Sequence, residues 1–157
     1  MRNKKILIIA VLLLSALAVN AASKVYKPWK NGRLKVSDNN LYIVHENGTP
    51  FFWMGNTAWL LPERLNREEA EYFLAKDRQA GYNVEQIQVL NAIPTFNVYG
   101  QQANDADFNF AKYTKEGVYG YWDHLDYIVN AAERNGIYIA MDCIWGSMIN
   151  QMDVKKA

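Results

Sequence analysis

Only one cysteine, Cys143, occurs among the 157 residues. No intramolecular disulfide can form, so packing alone must hold the fold even where the compartment is oxidising. Cys143 stands between Asp142 and Ile144 with no neighbouring histidine or cation, and reads as a small core residue rather than a reactive thiol. Histidine is nearly as scarce. His45 and His124 are far apart and lack the spacing of a metal site, so each reads as a surface or internally satisfied histidine. The chain has no long run of like charge, no serine elbow, no phosphate-binding glycine loop and no dinucleotide fingerprint. These absences argue against nucleic acid as a partner and leave neither a cofactor nor a metal implied.

What is present begins with an export signal. Arg2, Lys4 and Lys5 precede an apolar run from Ile6 to Val19, interrupted by Ser15 and followed by Ala21 and Ala22. That order is the pattern of a secretory signal peptide over residues 1–21. The run is shorter than the roughly 20 residues that span a bilayer, and no later stretch is uniformly apolar. The expected product is exported, to the periplasm or outside the cell, with no membrane span after cleavage. Removing the three basic residues from 17 leaves 14 against 16 acidic ones, a net charge of about −2. Cleavage after Ala21 leaves 136 residues, room for one domain with a real core. Residues 22–32 read as a linker and 33–157 as the domain.

The domain opens with strand patterns at Leu34 to Val36 and Leu41 to His45, joined by Ser37-Asp38-Asn39-Asn40. Asn47-Gly48 then supplies a tight turn, predicting a third strand near Pro50 and a short β-meander. From there the pattern alternates. An apolar segment, Phe51 to Met54, ends in Gly55-Asn56-Thr57-Ala58-Trp59. A helix follows, with Asn66 as cap, Glu69 three residues on, an apolar face of Ala70, Phe73, Leu74 and Ala80, and a stop at Gly81. The second strand, Val84 to Leu90, places Ile87 and Val89 on one face and Gln86 and Gln88 on the other. Asn91 to Gly120 reads as a long loop. A second helix, Tyr121 to Asn135, presents Trp122, Leu125, Ile128, Val129 and Ala132, with Asp123 near its cap, and Gly136 leads into strand three, Ile137 to Ile144. The fold class is α/β: an incomplete TIM-type (β/α)8 barrel, its first three βα units preceded by the meander.

In such barrels the loops after the strands build the active face. Asn56, Thr57 and Trp59 follow the first strand, Gln88 and Asn91 border the end of the second, and Asp142, Trp145 and Ser147 border the third. Sugars pair apolar ring faces with hydroxyl groups, so their sites combine aromatic platforms with amide and carboxylate partners. Trp59 and Trp145 supply candidate platforms, although either can instead fill core volume. Asn56, Trp59, Gln88, Asn91, Asp142, Trp145 and Ser147 are the candidate substrate-binding residues. No catalytic residue is assigned. Glycoside hydrolysis needs two flanking carboxyl groups, and Asp142 is the one acid at a strand end. Glu85 stands at the opposite end of its strand, and Asp105 and Asp107 fall in the long loop.

Three ordered stretches carry a resemblance: Leu41 to Trp59, ending Phe52-Trp53-Met54-Gly55-Asn56-Thr57-Ala58-Trp59; Leu65-Asn66-Arg67-Glu68-Glu69-Ala70; and Gly120-Tyr121-Trp122-Asp123-His124-Leu125-Asp126-Tyr127 with Trp145-Gly146-Ser147. Together they resemble the apiosidase-like glycoside hydrolases, family 140, from about Trp29 to Asn150. The resemblance implies an exported enzyme that releases the branched sugar apiose from plant pectin, with catalytic carboxylates on later strands. Three positions depart from it. Relatives carry Asp where this chain has Asn56, which keeps an acceptor oxygen but loses the charge, and Glu85 and Gln88 stand where apolar residues are expected.

Three readings follow. The chain is the front part of a glycosidase, inactive alone because the catalytic acids lie downstream; or a noncatalytic carbohydrate-binding barrel; or a gene fragment without function.

Overall fold

The computed structural model describes residues 27–151 except 106 and 108. The signal-peptide expectation for residues 1–21, and linker positions 22–26, lie outside the described residues. The remainder of the linker is structured. Pro28–Asn31 form a 3-10 turn with Pro28 buried, and the Trp29 ring meets Tyr138 edge-on at 6.1 Å.

Strands β1 (Leu34–Val36) and β2 (Ile43–His45) pair antiparallel, with Lys35 opposite Val44. The second strand starts two residues later than its apolar pattern because the Ser37 hydroxyl accepts the N–H groups of Leu41 and Tyr42, drawing both into the turn. The third meander strand is reduced to one bridge, Val44 to Pro50. Proline has no N–H to donate to a ladder. His45 N–H instead closes the turn on Thr49 O at 2.8 Å, and Gly48 supplies the positive φ of 85° there.

A second sheet has three parallel strands in the order β3 (Gly55–Thr57), β4 (Val84–Leu90), β5 (Tyr138–Ile144). The first strand therefore begins at Gly55, not at Phe51. Alongside residues 52–54 runs the side chain of Asn83 in place of a strand: its amide donates to Phe52 O at 2.7 Å and accepts Met54 N–H at 2.9 Å. Phe51 turns inward and packs edge-on against His45 and Tyr138 at 5.5 and 5.4 Å. These contacts tie the meander to the start of β5.

A short helix, α1 (Leu61–Arg64), follows β3 and was not legible in the sequence. Helix α2 (Arg67–Ala80) opens with the expected capping box: Glu69 N–H donates to Asn66 Oδ1 at 2.9 Å, and Asn66 N–H donates to Glu69 Oε2 at 3.0 Å. It stops at Gly81, whose φ of 102° is left-handed. Helix α3 (Tyr121–Asn135) begins after Gly120, whose N–H donates to Asp123 Oδ2 at 2.8 Å, so Asp123 closes the first turn from its third helical position. Gly136, at φ 72°, ends it. The final helix, α4, spans Gly146–Gln151.

The core lies between the helices and one face of the sheet. Ala70 and Leu74 of α2, Ile87 and Val89 of β4, and Leu125, Ile128 and Ala132 of α3 are buried together. A fully buried Leu or Ile contributes about 1.5–3 kcal/mol. Ala80 is exposed at the end of α2 and does not join this face. Cys143 is exposed as well, contrary to its reading as a core residue. It shares a face of β5 with Met141, also exposed, because β5 ends the sheet among the described residues. No helix among the described residues is long and apolar enough to cross a membrane.

Candidate functional site

Parallel register decides which side chains share a face. Gln86 stands beside Ala140, Gln88 beside Asp142, and Leu90 beside Ile144. Since Ile87 and Val89 enter the helix-side core, the alternate positions Gln86, Gln88 and Asp142 occupy the opposite face. There the Gln86 amide donates to Asp142 Oδ2 at 2.9 Å. Gln88 is only 1% exposed, and its Oε1 is buried without a hydrogen-bond partner. The partly exposed Gln86–Asp142 pair can recognise a hydroxyl group, which both donates and accepts, whereas Gln88 Oε1 is closed to solvent.

At the C-terminal ends of the strands three candidates converge. Trp59 follows β3, Asn91 follows β4 and Trp145 follows β5. The two indole rings lie 5.2 Å apart, tilted by 56°. Trp145 Nε1 donates to Asn91 Oδ1 at 3.1 Å, and Trp59 O accepts the Gln88 N–H at 2.9 Å. Trp145 remains 43% exposed. The pair thus presents aromatic surface to solvent while one indole N–H is already satisfied. Ser147 lies exposed in α4, two positions beyond Trp145.

Asn56 does not join this group. Its register partner is Glu85, at the start of β4, on the helix-facing side. The Asn56 amide donates to Asp77 Oδ2 of α2 at 2.6 Å, so the residue ties strand to helix and points away from the mouth. Glu85 completes the cluster. It is fully buried with neither carboxyl oxygen hydrogen-bonded, and burial first, then the neighbouring Asp77 carboxylate, push its carboxyl up to about 8. Burial beside Asp77 thus favours the neutral form of Glu85 at neutral pH. Of the three positions that depart from the family resemblance, Asn56 and Glu85 belong to this one structural knot, while Gln88 lies on the opposite face.

The described residues between Asn91 and Gly120 are held in place by polar side chains. Asn97 Oδ1 accepts the N–H groups of Tyr99 and Gln101, both at 3.0 Å, and Asn104 Oδ1 accepts Thr95 N–H at 2.9 Å. Trp122 Nε1 reaches Ala103 O at 3.1 Å. Arg67 pins the loop to α2: its Nε donates to the Tyr119 hydroxyl at 2.9 Å, with the guanidinium 3.8 Å from that ring's centre. His124 is buried between Leu65 O and the Tyr119 hydroxyl, at 2.9 and 3.1 Å, and burial lowers its pKa. Asp105 is a clamp within the loop, paired with Lys112 at 2.8 Å and accepting Asn109 N–H, whereas Asp107 is exposed.

One acid near the mouth escaped the sequence reading. Glu63, in α1, lies near the backbone amide of Asn91, and its Oε1 is buried without a hydrogen-bond partner. Burial raises its pKa, against the opposing pull of the Asn91 amide and Arg64. Its signal was hidden because α1 is a single turn inserted where the sequence pattern suggests only a connection. Among the described residues no group of three or more His, Cys, Asp or Glu could hold a metal ion.

A comparison with protein families matches residues 37–157 to the apiosidase-like catalytic domain. No curated protein matches the chain. Among solved structures, a glycoside hydrolase family 5 protein from Bacteroides vulgatus ATCC 8482 is 55% identical, with a TM-score of 0.78 over 82% of this chain and 28% of that one. A second, described as a glycoside hydrolase, has the same identity and TM-score and is covered over 29% of its length. The chain thus spans under a third of the solved relatives it matches. With the family model covering all but the first 36 residues, and the paired tryptophans at the strand ends, the chain belongs to the apiosidase-like catalytic domain family.

Proposed function

We propose that the chain is the N-terminal portion of an exported hydrolase of O-glycosidic bonds, acting on a plant pectin-type polysaccharide in the manner of glycoside hydrolase family 140. Its mature part is the opening of a TIM-type barrel. The observation that carries the reading is the gathering of Trp59, Asn91 and Trp145 at the strand ends above the Gln86–Asp142 pair. Aromatic surface bordered by amide and carboxylate groups suits a sugar ring and its hydroxyls.

The same geometry separates binding from catalysis. Asp142 is already engaged by Gln86, and among the described acids Glu85 and Asp77 lie on the helix-facing side while Glu63 is set into α1. The catalytic pair belongs to later strands, and the 157-residue chain is inactive alone. The test is to read the genomic frame beyond Ala157 and assay its longer product for release of apiose from pectic oligosaccharides. Two acids at later strand ends, with sugar release by the long product and none by this chain, support the reading; a frame without such a pair overturns it for the parent protein.

A noncatalytic carbohydrate-binding barrel is the second reading. Loss of charge at Asn56 was one of its grounds, and the placement of Asn56 against Asp77, away from the mouth, removes that ground. Sugar binding by the long product without any bond cleavage would favour it.

A further inference from the structure

We propose that Arg67, Tyr119 and His124 form a pH-sensitive latch that holds the long connection after β4 against α2 and α3, and that acid opens it. The direction of each hydrogen bond is dictated by its partners. The Leu65 carbonyl can only accept, so in the neutral ring His124 Nε2, 2.9 Å away, carries the proton and Nδ1 is bare. Arg67 Nε can only donate, so the Tyr119 oxygen, 2.9 Å away, accepts from it and turns its own proton to His124 Nδ1 at 3.1 Å. Tyr99 closes the latch from the same connection. Its hydroxyl accepts the Arg67 backbone N–H at 3.1 Å, and its ring stands edge-on to the imidazole at 5.2 Å.

Only a neutral imidazole satisfies this chain of bonds. A second proton on Nδ1 would meet a hydroxyl oxygen that already accepts from a guanidinium, setting two cations on one phenol and displacing the hydroxyl proton. The groups facing the ring do not offset that charge. From α2 comes Arg67, itself a cation and 3.8 Å from the Tyr119 ring centre, and from the connection come the phenols of Tyr99 and Tyr119. On α3, Asp123 is turned to the Gly120 N–H, and the Tyr127 ring faces the Arg67 guanidinium at 5.1 Å. Among the described residues no carboxylate is hydrogen-bonded to either ring nitrogen. His124 is fully buried, and burial first, against the pull of the Leu65 carbonyl and with Arg67 in support, lowers its pKa. A solvated histidine takes up its proton at a pH of about 6.5. The latch therefore holds fully above that value, weakens as pH falls below it, and levels once the buried ring is itself protonated. The connection begins at Asn91, which accepts the Trp145 indole N–H, so its loosening bears on the mouth. That consequence rests on the sugar-binding reading above; the latch does not.

Long-range 15N–1H correlation spectra of the chain, labelled with 15N and kept dilute, read the ring nitrogens directly. There are two histidines, and His124 is told from His45 by ring-proton Overhauser contacts to Tyr99 rather than to Phe51. At about pH 7.5, above the titration of a free histidine, His124 is expected to carry its proton on Nε2 with Nδ1 bare. On acidification it should titrate below about 6.5, with the ring signals of Tyr99 and Tyr119 moving alongside. Exchange of the Arg67 amide, corrected for its intrinsic pH dependence, should accelerate in total by about tenfold for each unit that the His124 midpoint lies below that value. Tyr119→Phe removes the donor to Nδ1 and is expected to raise the midpoint while Nε2 keeps its proton. His124→Gln should abolish the acid step in Arg67 exchange. Should His124→Gln fail to fold, Tyr119→Phe and the wild-type titration decide. A proton on Nδ1 in place of Nε2, a midpoint at or above about 6.5, or Arg67 exchange indifferent to the midpoint would overturn the proposal. None of these readouts uses sugar, so a failure of the carbohydrate reading leaves the latch to be judged on its own.

Discussion

Asn56, Asp77 and Glu85 place an amide, a carboxylate and a protonated carboxyl against one another on the helix-facing side of the sheet. Their consequences are electrostatic. Glu85 titrates near 4.5 in an unfolded chain and near 8 in the folded one. Between those values the folded state binds the extra proton, so the stability that Glu85 contributes is complete below pH 4.5, falls as pH rises, and levels above about 8. Replacing Glu85 with Gln removes the titration. Thermal melts across that range are expected to show the wild type losing stability relative to Glu85→Gln with rising pH; parallel curves would contradict the assignment. Asn56→Asp would set a second carboxylate at the 2.6 Å contact with Asp77. Like charges at that separation oppose each other, and a loss of about 1–3 kcal/mol at pH 7 is expected by denaturant titration.

Elements were legible where local chemistry alone decides them. The Asn66–Glu69 box, Gly81 and Gly136 fixed the ends of α2 and α3 because each acts within a few residues of itself. Asn66→Ala should therefore cost about 1 kcal/mol in equilibrium unfolding. Ile128→Ala, fully buried in the core shared by the helices and the sheet, should cost more, about 2–5 kcal/mol, through the cavity it leaves. Comparing the two by urea titration checks that packing outweighs capping. Where sequence and structure part, a partner distant in the chain intervenes. The strand expected over Phe51 to Met54 is displaced because Asn83, about thirty residues on, offers an amide side chain in place of a backbone. Asn56 looked like a mouth residue because it follows an apolar run, yet the register with Glu85 puts it on the other face. Glu63 was missed for the converse reason: its neighbour Asn91 follows a strand distant in the chain.

At the scale of the whole molecule, β3 and β5 are the outer strands of the sheet among the described residues. Exposed strand edges pair readily with other chains, and an uncovered sheet face adds apolar surface. Met141 and Cys143 stand exposed on one such strand. The chain alone is expected to self-associate with rising concentration in sedimentation experiments, while a monomer with one sharp cooperative melting transition would contradict this view. The mouth itself is already assembled. Trp59, Asn91 and Trp145 meet although each follows a different strand, as parallel order requires, and the long loop over residues 91–120 is anchored by Arg67 and His124 rather than left loose.

Whether that mouth recognises sugar is decided most directly by which tryptophans respond to it. Indole N–H spectra recorded during titration with an apiose-terminated pectic oligosaccharide should show Trp59 and Trp145 shifting together in a saturable manner, with Trp29 and Trp122 unmoved. Shifts confined to Trp29 or Trp53, near the meander, or no shift at millimolar sugar, would contradict a carbohydrate site at the strand ends.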